Sequence, residues 1–238
     1  MKLALVVLLA CGGNYLDPDG ENIYFYEECL HINRGKFTEE LHQKCKKYSD
    51  IKLHWHKLKF FSPHFGYQKP GDEIVIMDID QVITGNIDNL ISYPIVDNDF
   101  VSYGTWWPRN IKVNGGFYKF KSGQFDYVWN DFALNPTYWQ SHYYENGDVH
   151  YNYYGEQNYV DWKLYEKGVK IIETPKEWLG KYTDNKKDMI EMNKIYSKMF
   201  NTDYMILDDV NEKIKVVHFN GVNNTIHKYK EELKWLEM

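Results

Sequence analysis

The chain has 238 residues, 43% of them hydrophobic, and a formal charge of −6. That balance gives enough apolar material for one large core and excludes a disordered chain. With no Lys/Arg block, linker or internal repeat, it excludes a nucleic-acid surface and favours a single domain over residues 1–238.

Aromatic residues reach 17%, including 21 Tyr and 8 Trp. They fit either a core of large rings or a carbohydrate surface, where ring faces stack on sugar C–H groups and polar tips reach hydroxyls. Cys11, Cys29 and Cys45 are odd in number and lack C-x-x-C spacing, so reduced thiols in a cytoplasmic protein are expected.

The opening "MKLALVVLLACGG" reads in two ways. Its apolar run of about eight residues could belong to a lipoprotein-type signal, but it is far too short to span a membrane. It also reads as a buried parallel strand over Leu3 to Ala10, with Gly12-Gly13 freeing the backbone behind it. The strand is the expectation, and no transmembrane segment is expected anywhere in the chain.

Beyond the turn residues "YLDPDGEN", apolar residues recur at helical spacing to about Asn33, and "FTEELHQKCKKY" predicts a second amphipathic helix capped near Thr38. "HWHKLKFFSP" predicts a short helix stopped by Pro63. "DEIVIMDID" is the clearest strand, and "DFVSYG" and "GGFYKF" follow as strands around the loop "TWWPRNIKVN". "GQFDYVWNDFAL" and "EQNYVDWKLYEKG" predict helices, the second ending at Gly168. "VKIIET" and "IKVVHF" complete five to seven strands interleaved with helices. Together they predict a layered α/β fold whose ligands bind at the carboxyl ends of the strands.

Asp78 and Asp80 lie at such an end, within "IVIMDIDQVITG". Burying a bare carboxylate is costly unless it is paired, hydrogen-bonded or metal-bound. Alternation along a strand puts residues i and i+2 on one side, so both carboxylates could face one hard divalent ion such as magnesium or manganese. The ordinary alternative is a solvated strand end. Two enzyme classes place D-x-D here. In the haloacid-dehalogenase type of phosphohydrolase, a Thr follows the second Asp by two; here Val82 holds that place and Thr84 comes later.

The other class is the nucleotide-sugar glycosyltransferases. The chain resembles those of the GT-A type, in motif order the glycogenin/galactosyltransferase-like group, family 8, with its viral and bacterial relatives. The matching stretches are "LVVLLACGGNY", "WHKLKFFSP", "VIMDIDQVITGNIDNL", "VNGGFYKF", "GEQNYV" and "VVHFNGVNNTIHK", running from about residue 3 to 228. The resemblance implies a single-domain GT-A fold, a Rossmann-like mixed sheet flanked by helices. It also implies transfer of a sugar from a UDP-sugar donor to a glycan acceptor hydroxyl, with Mn2+ or Mg2+.

Carried over by motif, Asp78 would hold the ribose and the metal, with Asp80 and His218 as further metal ligands. Imidazole suits manganese as well as carboxylate does. Ala10, Cys11, Gly12 and Tyr15 would form the nucleotide loop, with Ile79 beside it. Lys57 would contact the donor, and Asn114 with Gly115 would line the sugar pocket, although Asn-Gly is also an ordinary turn signal. Gly221 would let the backbone approach the diphosphate and Lys228 would add charge. In the family that lysine follows the glycine by three residues; here it follows by seven, and His227 competes for the role. Glu156-Gln157 stand where the family has Asp-Gln facing the transferred sugar. Retention is implied, with Gln157 near the reacting face. An inverting relative would need a carboxylate base, for which Asp148 and Glu156 are candidates. Trp106, Trp107 and the ring-dense stretch Tyr138 to Tyr154 are candidates for sugar stacking or for packing. The readings from other classes are a nucleotide- or sugar-binding module without turnover, and the phosphohydrolase.

Overall fold

A computed structural model of the chain describes residues 5–9, 51, 53–63, 65, 68–78, 81–107, 109, 111–143, 155–183, 185–203, 206, 210–219 and 233–237. The apolar run before the D-x-D pair forms β2 (Glu73–Asp78), and Ile74 to Met77 are almost wholly buried. The run is continuous because both faces are covered. Ile74 and Ile76 enter one core cluster, while Val75 and Met77 enter another. β1 (Leu5–Leu9) runs parallel to β2 and ends level with Asp78. On the other side β5 (Phe117–Lys121) pairs antiparallel with β2, followed by β4 (Asp99–Ser102) and β6 (Lys170–Glu173) in the order β1-β2-β5-β4-β6.

The run does not stay in that sheet. After Asp78 the chain leaves it, and β3 (Gln81–Ile83) joins a second sheet of order β3-β8-β7, with β7 at Leu179–Tyr182 and β8 at Val216–Phe219. Among the described residues the strands thus form two sheets, where the sequence reading expected one mixed sheet. Asp78 ends its strand in the large sheet, and Gln81 begins one in the small sheet.

One face of the large sheet packs against the 3-10 helix Leu53–Phe61, α2 (Asp126–Leu134) and α4 (Glu156–Glu166). α1 (Asp88–Ile91) lies earlier in the chain, and α3 (Pro136–Ser141) comes between α2 and α4. Trp55 stacks on Phe132 at 5.4 Å and Phe61 on Phe120 at 4.6 Å. Truncating such a buried ring removes about 3–5 kcal/mol. The other face meets the small sheet, where Val101, Tyr103 and Phe117 pack with Leu179 and Val216. Beyond the small sheet lies α5 (Lys186–Phe200), whose Met189 and Tyr196 pack with Val217 and Phe219. No described helix is long and apolar enough to cross a membrane.

Candidate functional site

The loop before β5 is unusually well held. Five consecutive backbone N–H groups each donate to a side-chain oxygen. Lys112 and Val113 share Asp161 Oδ1 at 2.9 and 3.0 Å, and Asn114 reaches Ser102 Oγ at 2.7 Å. Gly115 reaches Gln157 Oε1 at 3.0 Å, and Gly116 reaches Asn114 Oδ1 at 2.9 Å. Gln157 and Asp161 lie four apart on α4, so one helix face supplies both. The helix starts at Gly155, whose φ of 113° belongs to glycine and places Glu156 and Gln157 at the first turn.

Gly115 and Gly116 are required by space. A Cβ on Gly115 would stand 2.9 Å from Glu156 Oε1 and 3.4 Å from Lys57 Nζ. A Cβ on Gly116 would stand 2.6 Å from Gln81 Nε2 and 3.2 Å from both Asn114 Oδ1 and His218 Nδ1. Two polar clusters thus meet at adjacent glycines.

The first cluster is buried. Lys57 is 2% exposed, and its Nζ lies 2.7 Å from Asp78 Oδ1 and 3.0 Å from Glu156 Oε1 while donating to Gly115 O at 2.8 Å. Tyr118 donates its hydroxyl to Glu156 at 3.1 Å. Burial, then the Glu156 charge, push the Tyr118 pKa well up, so the phenol stays a donor. Among the described residues, one ammonium here faces two carboxylates.

The second cluster spans the small sheet. Gln81 pairs with His218 across β3 and β8, and Lys181 pairs with His218 across β7 and β8. The three therefore form one row on one face. Gln81 Nε2 donates to Gly116 O at 2.8 Å and lies 3.5 Å from His218 Nδ1, while its Oε1 accepts from Tyr103 at 3.0 Å. Gly116 O also accepts from the Asp78 N–H at 3.2 Å, so this one carbonyl links β2 to the row. Burial, with the Asp78 charge second, raises the Tyr103 pKa well above its ordinary value.

A cavity of about 300 Å3 opens beside the row, lined by Trp107, Arg109, Ile111, Asn114, Gln157, Lys181 and His218. With Gln157 Oε1 committed to the Gly115 N–H, its amide nitrogen is the group left for the cavity. The Lys181 amine lies 4.9 Å from the Trp107 ring centre. Burial lowers the Lys181 pKa, and Asp188 opposes that shift.

Of the residues singled out from sequence, Lys57, Asp78, Glu156, Asn114, Gly115, Gln157 and His218 gather here. Glu156 faces Lys57 and Tyr118 rather than the cavity. The two tryptophans divide: Trp107 lines the cavity, whereas Trp106 donates to Leu179 O at 3.1 Å and packs on Tyr196. Trp139 and Tyr143 pack around Tyr159 as core. Thr84 donates to Ile214 O at 3.2 Å. Ala10, Cys11, Gly12, Tyr15, Ile79, Asp80, Asp148, Gly221, His227 and Lys228 lie outside the described residues, as do the two helices expected before residue 50. Sequence reading missed Gln81, Asp161, Arg109 and Lys181; only the position of Gln81, one residue past the D-x-D, offered a signal.

Among the described residues no three His, Cys, Asp or Glu side chains form a metal-binding group. Asp78 and His218 nevertheless border the same Gly116, and carboxylate with imidazole is a donor set that suits a manganese-type ion.

No protein-family model matches the sequence, and no curated protein matches it. Among solved structures, the chain is similar to the apo form of glycosyltransferase GlyE from Streptococcus pneumoniae TIGR4, at 12% identity and a TM-score of 0.40. That match covers 72% of this chain and 38% of the other; a second GlyE structure matches at 9% identity and 0.38, covering 70% and 44%. The chain therefore aligns with less than half the length of either GlyE structure. It is also similar to galactosyltransferase LgtC in complex with donor and acceptor sugar analogs, at 11% identity and 0.46, covering 98% of this chain and 93% of that one. All three are glycosyltransferase structures.

Proposed function

We propose that the chain is a metal-dependent glycosyltransferase that moves a sugar from a UDP-sugar to a glycan hydroxyl with retention. The observation that carries this reading is the convergence at Gly115–Gly116. A buried strand end bearing Asp78, the first turn of α4 and the His218 row all meet there, beside a polar cavity. The motif order described from sequence supplies the reaction class.

Asp78 and His218, with Asp80, would hold the divalent ion, which when bound would neutralise charge on the departing diphosphate. The chain's own groups have separable tasks. Lys57 pairs with Asp78 and fixes its carboxylate. The pinned 112–116 loop keeps Asn114 at the cavity without movement during the reaction. Gln157 presents an amide donor where a sugar hydroxyl or developing charge would sit. Holding both reactants in this way converts an encounter into a unimolecular step, which is worth several kcal/mol of barrier.

The test is a panel of nucleotide sugars incubated with the protein and manganese. UDP and free sugar from at least one donor are expected, slowly, when no acceptor is present. UMP with a sugar phosphate would identify a pyrophosphatase, and inorganic phosphate from simple monoesters a phosphohydrolase. Tight UDP binding without turnover of any donor would favour a binding module. Asp80→Ala should abolish manganese-dependent UDP binding while leaving the thermal midpoint in metal-free buffer nearly unchanged.

A further inference from the structure

The cavity walls contain two cations, Arg109 and Lys181, beside His218, two amides and two apolar residues. None of the seven lining residues is a carboxylate, in a chain whose net charge is −6. Arg109 is partly answered already: its Nη2 donates to Lys112 O at 2.8 Å and Tyr103 O at 3.3 Å, with Glu173 at 3.4 Å. Lys181 is different. Among the described residues it makes no ion pair, and its ammonium lies over the Trp107 ring. Asp188, on the first turn of α5, acts on it electrostatically without pairing.

Lys181 is half-buried at the cavity wall, and the ring face answers only part of its charge. A cation held in this way at a wall without a carboxylate is placed to meet an anion that enters the cavity.

We propose that this cavity is an oxyanion site in which Lys181 is the recognising cation, so that the substrate portion entering it carries a phosphate or carboxylate. Lys181 takes this place because it stands beside His218 on the neighbouring strand, facing the same cavity. Arg109 lies in the same walls and contributes long-range charge. What the site says about the substrate rests on the glycosyltransferase reading. Two sources carry this chemistry: the phosphates of a nucleotide donor, and an acidic sugar.

Calorimetric titration of the full chain in EDTA tests it, with inorganic pyrophosphate, glucuronate and glucose as probes. At least one anion should bind and glucose should not. Lys181→Gln should weaken that anion at least about tenfold, and Lys181→Arg should retain most of the affinity. Tighter pyrophosphate assigns the site to donor phosphate, and tighter glucuronate assigns it to an acidic sugar. Should Lys181→Gln not fold, the side-chain ammonium resonance of Lys181 in the wild type must shift on adding the anion. Absence of anion binding, equal binding by Lys181→Gln, or an unmoved resonance overturns the proposal. UDP-sugar turnover measured in parallel separates the two readings. Lys181-dependent anion binding without turnover of any donor removes the glycosyltransferase and leaves the oxyanion site.

Discussion

Lys57 Nζ and Asp78 Oδ1 lie 2.7 Å apart, one from a 3-10 helix and the other from the last residue of a central strand. Glu156 reaches the same ammonium at 3.0 Å, so a single lysine holds two carboxylates from separate elements in the interior. Removing one partner of a buried ion pair costs about 3–5 kcal/mol, because the other charge stays buried. Lys57→Met should lower the urea unfolding free energy by about that amount. Adding Glu156→Gln should recover part of it, since only one carboxylate then remains. Equal stability of Lys57→Met and wild type would remove the electrostatic account of this cluster.

Gly116 sits between the clusters, and its Cβ position is already taken by Gln81 Nε2 at 2.6 Å. Gln81 is a flexible residue in principle, but here it is fixed by Gly116 O and Tyr103. Gly116→Ala should therefore displace Gln81 and His218 together and weaken manganese-dependent UDP binding by about tenfold or more. Normal binding by this variant would show that the row is not part of the site.

Much of this arrangement could be read from residue order, for physical reasons. β2 announced itself because both its faces are covered, which leaves an uninterrupted apolar run ending in a carboxylate. Lys57, Asn114 and Gln157 were visible through their motifs. The crossing between sheets was not visible, since no glycine or proline separates Asp78 from Gln81 and Val82-Ile83 read as strand on either side of the change. α5 was hidden because its buried stripe, Met189, Asn193 and Tyr196, is interrupted by an asparagine. That asparagine is buried for a tertiary reason: its Oδ1 accepts the Ile206 N–H at 2.9 Å. Lys181 belongs to a four-residue strand containing glycine, and its neighbour His218 is 37 positions away, a pairing set by register alone.

His56, next to Lys57, gives a pH signature of the fold. Burial, with the Lys59 charge second, lowers its pKa from 6.5 to about 3, against a raising hydrogen bond to Ile51. The folded state thus prefers the neutral ring, and the unfolded chain takes up the proton first. The contribution to stability is complete above pH 6.5 and is lost as pH falls from there toward about 3. Thermal midpoints measured from pH 7 to 5 should fall, and His56→Gln should flatten that fall. An unchanged slope in the variant would place the acid sensitivity elsewhere.

Gln81 allows structural support and site positioning to be separated in one experiment. Its amide joins the Tyr103 hydroxyl, the Gly116 carbonyl and the His218 ring. Gln81→Leu should orphan the fully buried Tyr103 hydroxyl, costing about 1–3 kcal/mol in unfolding free energy. It should also release His218, and loss of such an orienting partner typically weakens metal affinity about 10–100-fold. Tyr103→Phe in the same chain removes the orphaned hydroxyl, and replacing both partners by apolar groups is close to neutral. The double variant should therefore regain most of the stability while manganese-dependent UDP binding stays weak. If binding returns together with stability, Gln81 serves the fold alone and His218 is oriented by other contacts. The 15N shifts of the His218 ring give a readout independent of activity. They should differ between wild type and both Gln81→Leu chains, because Gln81 Nε2 faces Nδ1 only when the amide is present.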